Sequence, residues 1–156
     1  MPKTMFKFLA DRISKFFVDP LRLKVIEPFG EMRYKDKEWF AIVDGISPRN
    51  KIELSICANH YEDDLTQKVA LIEKFIEDYD LIVLQLYSLV FENLKKIQLE
   101  KTEEEIEKMY FLSFVSLQED NSWWLVMEPD YKVETIYNYF IRFTMIDRKI
   151  VWKNFD

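Results

Sequence analysis

The sequence predicts an α+β fold, in which an antiparallel sheet packs against long central helices and an N-terminal amphipathic helix precedes both. Three observations predict it. Strand-like alternation appears on both sides of the chain's middle, as in Ile52, Leu54 and Ile56. The middle, from Tyr61 to Tyr110, contains no Gly and no Pro and is rich in helix formers. Strands and helices therefore come in separate runs, which favours α+β over an alternating parallel α/β sheet.

The elements follow in order. Met5, Phe6, Leu9, Ile13, Phe16 and Phe17 recur at helical spacing, with Lys7, Asp11 and Lys15 on the other side. They predict a helix over residues 4–17, with Thr4 in the cap position and Asp19-Pro20 as its stop, since the residue before proline avoids the helical region. Leu21 to Ile26 alternates weakly, and Pro28-Phe29-Gly30 signals a turn. Glu31 to Tyr34 and Glu38 to Val43 read as a hairpin around Lys35-Asp36-Lys37. Lys51 to Cys57 places Ile52, Leu54 and Ile56 on one face and Glu53, Ser55 and Cys57 on the other, as a half-buried antiparallel strand does.

Val69, Ile72, Phe75, Ile76 and Tyr79 continue a helical stripe whose start Asp63, Asp64 or Thr66 can cap, with a break expected near Asp78-Tyr79-Asp80. Leu81 to Leu94 is apolar on so many sides that it is expected to be the central helix, covered all round. Thr102-Glu103-Glu104-Glu105 opens a third helix with a capping box. Met109 to Leu117 and Trp123 to Met127 read as strands around Asp120-Asn121. Tyr137 to Met145 and Lys149 to Trp152 read as a last hairpin around Ile146-Asp147-Arg148.

The 156 residues make one domain, 1–156, with 1–20 as a helical arm. The net charge is −6, which gives no general attraction for nucleic acid, whose binding is largely phosphate neutralisation, and would steer a basic partner instead. One cysteine suits a reducing, cytoplasmic compartment. The N-terminal stretch is interrupted by charges, unlike a signal peptide. The apolar run Leu81 to Phe91 is too short to span a membrane.

With one His, one Cys and two Gly, most catalytic constellations are missing, and the expectation is a binder rather than an enzyme, with no cofactor and no metal. Cys57-x-x-His60 has metal-ligand spacing but no further Cys or His to complete a set. The acidic clusters Glu62-Asp63-Asp64, Glu77-Asp78-Asp80 and Glu103-Glu104-Glu105 sit near predicted helix ends or exposed faces, and the helix dipole accounts for the first and the third. A carboxylate-based enzyme is the weaker alternative.

The aromatic share, 16%, points instead to contact surfaces. Trp123-Trp124 sets adjacent indoles on opposite faces of one strand, so one must leave the buried face. Trp39, Trp123, Trp124, Tyr137, Tyr139 and Trp152 are the candidate partner-binding residues. A protein partner is expected, and self-association into a homodimer is the alternative. The N-terminal stretch to Lys24 carries six Lys/Arg against two Asp, and it suits an arm that packs on the acidic body.

Phe29-Gly30-Glu31-Met32-Arg33-Tyr34, Trp39, Ile52 to Ile56, the helical Ala70 to Asn93, and Thr102 to Phe114 together resemble a bacterial family, the domain of unknown function 2262 and related immunity-type domains. The resemblance covers roughly Ile26 to Trp152. It implies an accessory or immunity protein of a toxin system. Some relatives carry a Gly-His pair before the penultimate strand; this chain has Asn138-Tyr139 in that region, so no site transfers.

Overall fold

The structure is a computed structural model, and it describes residues 22–153. The predicted helix over residues 4–17 lies outside them. The described chain runs β1 (Leu23–Ile26), β2 (Gly30–Lys35), β3 (Glu38–Val43), β4 (Ile52–Cys57), α1 (Thr66–Glu77), α2 (Tyr79–Lys96), α3 (Glu103–Met109), β5 (Tyr110–Leu117), β6 (Trp123–Pro129), β7 (Ile141–Ile146) and β8 (Lys149–Lys153). All eight strands form one sheet in sequence order. Each neighbouring pair is antiparallel except β4 and β5, which run parallel. Two four-stranded meanders are thus joined side by side.

This overturns the helix-centred α+β expectation. The sheet is mixed and dominates the chain, and the three helices are short, at 12, 18 and 7 residues. All three lie in the connection from β4 to β5, because parallel neighbours cannot be joined by a tight turn and need a long crossover. Nor is the Leu81–Leu94 segment covered all round. Ile82, Leu86, Val90 and Leu94 form a buried stripe four residues apart, with Tyr87 beside it. Leu81 and Leu84 point away and are 63% and 50% exposed.

Local chemistry sets the junctions. Asp36 and Lys37, and likewise Asp147 and Arg148, adopt positive φ, the backbone of tight two-residue hairpin turns. Asp78 ends α1 and starts α2. It pairs with Arg148 of the β7–β8 turn, clipping that turn to the helix junction. The Thr102 hydroxyl accepts from the Glu105 N–H at 3.2 Å and the Glu105 carboxylate accepts from the Thr102 N–H at 2.8 Å, so the capping box is complete. These bonds hold the Glu105 carboxyl below its ordinary range.

The helices cover one face of the sheet. Met32, Trp39, Ile52, Leu54, Ile56, Leu112, Val115, Leu117, Leu125, Met127 and Phe143 line that face and are buried. Phe75 of α1 stacks on Trp123 with ring centroids 4.8 Å apart. In β5 the alternation changes phase at an irregularity between Leu112 and Phe114. This bulge drops Ser113 from the pattern, so Tyr110 and Leu112 before it and Val115 and Leu117 after it all reach the same core.

Arg49, in the β3–β4 loop, ties the crossover's end to the sheet. Its guanidinium donates to the backbone carbonyls of Glu107, Lys108 (3.4 Å) and Tyr110 (3.2 Å), the unpaired acceptors where α3 stops. It also faces Asp130 at 3.7 Å. The buried Tyr87 hydroxyl donates to the same Tyr110 carbonyl at 2.8 Å.

Candidate interaction surface

The strand register that buries one face exposes the other, and no described helix lies over it. Two rows of opposed residues cross this open face. One runs Leu23, Arg33, Phe40, Ser55, Ser116, Trp124, Thr144, Val151, crossing all eight strands. The other runs Ile42, Glu53, Phe114, Val126, Arg142, Lys153. Over β5–β8 the face forms an open groove of about 670 Å³, whose floor is Phe114, Trp124, Val126 and Thr144. Phe140 walls it, and Glu53, Glu128, Arg142 and Lys153 supply two charges of each sign at its margins. An aromatic, apolar floor with a charged rim is the composition of a protein contact patch.

Beside the groove, β4 carries a polar network on the same face. Ser55 donates to Glu38 at 3.1 Å, and Gln118 donates to Ser116 at 2.7 Å. The Cys57 thiol lies 3.9 Å from the Glu38 carboxylate and 3.8 Å from the Gln118 side-chain oxygen. Burial pushes the thiol's pKa up, and the Glu38 charge adds to this. Lys68 of α1 donates to the Gln118 carbonyl at 2.6 Å; burial pulls its ammonium's pKa down, against the pull of Cys57 and Glu119. A thiol held protonated is a poor nucleophile.

The six aromatic candidates do not share one surface. Trp39 is fully buried, packed between Tyr34 and Tyr61 at 5.2 and 5.1 Å, and its indole N–H meets no acceptor. Trp123 is buried under Phe75. Neither can present a ring to a partner. Trp152 packs on Phe143 on the core side of the sheet, Tyr137 meets Trp152 and Tyr139 meets Tyr137, with Tyr139 47% exposed at the end of this row. There Tyr137 anchors the loop before β7. Its N–H donates to the Tyr110 hydroxyl at 2.6 Å, and its own hydroxyl accepts from Asn93 at 3.1 Å. Trp124 lies on the open face, 55% exposed. Phe114 and Phe140 were missed as candidates. Strand parity with Trp124 does not predict Phe114 unless the bulge is known, and Phe140 lies outside any strand.

Cys57 and His60 do not converge with other ligands: among the described residues no group of three His, Cys, Asp or Glu is placed to hold a metal ion. The acidic clusters serve local structure. Asp63 accepts from the His60 N–H, Asp64 from the Thr66 N–H and hydroxyl, and Asp78 pairs with Lys74 and Arg148. No described helix is long and apolar enough to cross a membrane. Comparison of the chain with protein-family models, with curated proteins and with solved structures finds no match in any of the three.

Proposed function

We propose that this chain is a protein-binding module without catalysis, and that its contact surface is the groove over β5–β8. The observation that carries the reading is the Trp123-Trp124 pair. One indole fills the core while its neighbour stands more than half exposed on the floor of an apolar groove, where a folded domain gains nothing from a bare indole. The partner is a protein with a basic surface, because the chain's net charge of −6 favours its approach and the groove's paired charges suit a mixed rim. A toxin neutralised by this chain in a bacterial cytoplasm is the sharpest form of that partner, on the sequence resemblance.

The test is co-expression with the products of adjacent genes, followed by affinity capture and calorimetry of any complex. The reading expects a 1:1 complex that Trp124→Ala weakens by about 2 kcal/mol or more, as for a central aromatic anchor. A complex indifferent to Trp124, Phe114 and Phe140 would sink the assignment of the groove. Failure of every neighbouring product to bind or to be neutralised would sink the toxin form.

A further inference from the structure

The charges on the open face of β4–β8 are sorted by position. In the row Glu53, Phe114, Val126, Arg142, Lys153 the acid stands on β4, the bases stand on β7 and β8, and apolar side chains lie between. Four residues along the strands the same order recurs. Glu38 and Cys57 face each other on β3 and β4, and Ile146 and Lys149 on β7 and β8. Glu53 and Lys153 are exposed, and neither makes an ion pair among the described residues. Four strand spacings, about 19 Å, separate them, too far for the two to neutralise each other within one molecule.

Such a face is complementary to its own reverse. Consider two copies stacked face to face about a two-fold axis that runs along β6, between the sheets. The axis leaves position along the strands unchanged and exchanges β4 with β8 and β5 with β7. Glu53 of each copy then stands over Lys153 of the other, at both margins, and Lys149 comes over Cys57 with Glu38 beside it. Trp124 and Val126, on β6 itself, meet their own counterparts, so the exposed indole falls at the centre of the contact, where aromatic anchors act. Sheets packed in this way lie about 10 Å apart and interdigitate their side chains. An axis across the strands fails, because it sets Glu53 over Glu53 and Lys153 over Lys153. Glu128, two residues beyond Val126 on β6, is a charge that meets its own copy and works against the contact. The net charge of −6 also opposes approach, and screening confines that repulsion to about 8 Å at physiological salt.

We propose that a second copy of this chain occupies the β5–β8 groove, face to face about a two-fold axis along β6, with Glu53–Lys153 pairs closing both margins. A basic partner of the kind proposed above has to displace that copy. The inference shares the groove with that reading but not its test: a monomeric chain would leave the partner reading standing, and a dimer would not establish it.

Sedimentation of the isolated full-length chain, from micromolar to sub-millimolar protein, should show a concentration-dependent dimer. Glu53→Lys alone, or Lys153→Glu alone, sets like charges together at both margins and should weaken it about tenfold. In an equimolar mixture of these two variants every margin again joins opposite charges, so a mixed dimer should form about as tightly as the parent. The mixture also controls for folding, since two damaged variants would not rescue each other. Glu128→Gln removes the like-charge meeting and should tighten the dimer; a weaker dimer would overturn the arrangement. A chain that stays monomeric throughout, a dimer indifferent to either charge reversal, or single variants that the mixture does not rescue would each overturn the proposal.

Discussion

Arg49→Ala should destabilise the fold well beyond what a surface arginine normally contributes. The side chain is 40% exposed, yet its guanidinium serves the carbonyls of Glu107, Lys108 and Tyr110, which α3 leaves without partners at its end. A hydrogen bond to a charged group contributes about 1.5–3 kcal/mol when desolvated. Water can replace part of this here, and the Asp130 pair at 3.7 Å is open enough to add less than about 1 kcal/mol. The expected loss is about 2 kcal/mol, read as a lower urea midpoint at unchanged slope. Arg49→Lys keeps the charge but not the planar fork, and should restore less than half of it. Tyr87→Phe removes the second donor to the Tyr110 carbonyl and should cost about 1 kcal/mol singly. With both gone that carbonyl loses both of its side-chain donors, so the double variant should exceed the sum of the singles by about 0.5 kcal/mol or more. A loss under about 0.5 kcal/mol for Arg49→Ala, or strict additivity, would refute the account of the crossover's end.

Three further outcomes are expected. Trp123→Ala should cost about 3–5 kcal/mol in chemical denaturation, whereas Trp124→Ala should shift stability by less than about 1 kcal/mol; similar losses from both would contradict the opposed placement of the two rings. Burial raises the phenol pKa values of Tyr87 and Tyr110 above the ordinary value of 10.0, so the folded state favours their neutral forms. That stability is fully present below about pH 10 and is lost as pH rises through the folded values, so Tyr87→Phe should flatten the alkaline fall in melting temperature; an identical fall in both proteins would count against it. Alkylation of Cys57 should show an inflection above that of an ordinary thiol, and Glu38→Gln should bring it down, since the Glu38 carboxylate opposes thiolate formation; an inflection at or below the ordinary value would show that the thiol is not held protonated.

Much of the local structure was legible because each piece carries its own chemistry. The hairpin at Asp36-Lys37, the break at Asp78, the Thr102 capping box and the alternation of Ile52, Leu54 and Ile56 are decided by neighbours in sequence. The architecture was not legible, and two residues explain most of that. The parallel pairing of Ser55 with Ser116 joins residues 61 apart, and nothing in either strand's own pattern states it. Without that pairing, the long stretch lacking Gly and Pro looked like the centre of the molecule rather than a crossover lying on a sheet. The Leu81–Leu94 run misled for a related reason. Its apolar residues outnumber its buried positions, and composition cannot say that Leu81 and Leu84 face outward.

The candidate surface shows the same division. That Trp123 and Trp124 must part company follows from strand geometry, and that prediction is independent of any partner. Which of the two stays inside depends on where α1 lands, because Phe75 selects Trp123 by stacking on it. The helices arrive on that side as a consequence of the single parallel pairing, and every strand's outward row then falls on the opposite face. The bulge at Ser113 completes the effect: it returns Val115 to the core and swings Phe114 out beside Trp124. One crossover and one extra residue therefore convert an aromatic surplus spread through the sequence into a groove on one face of the sheet.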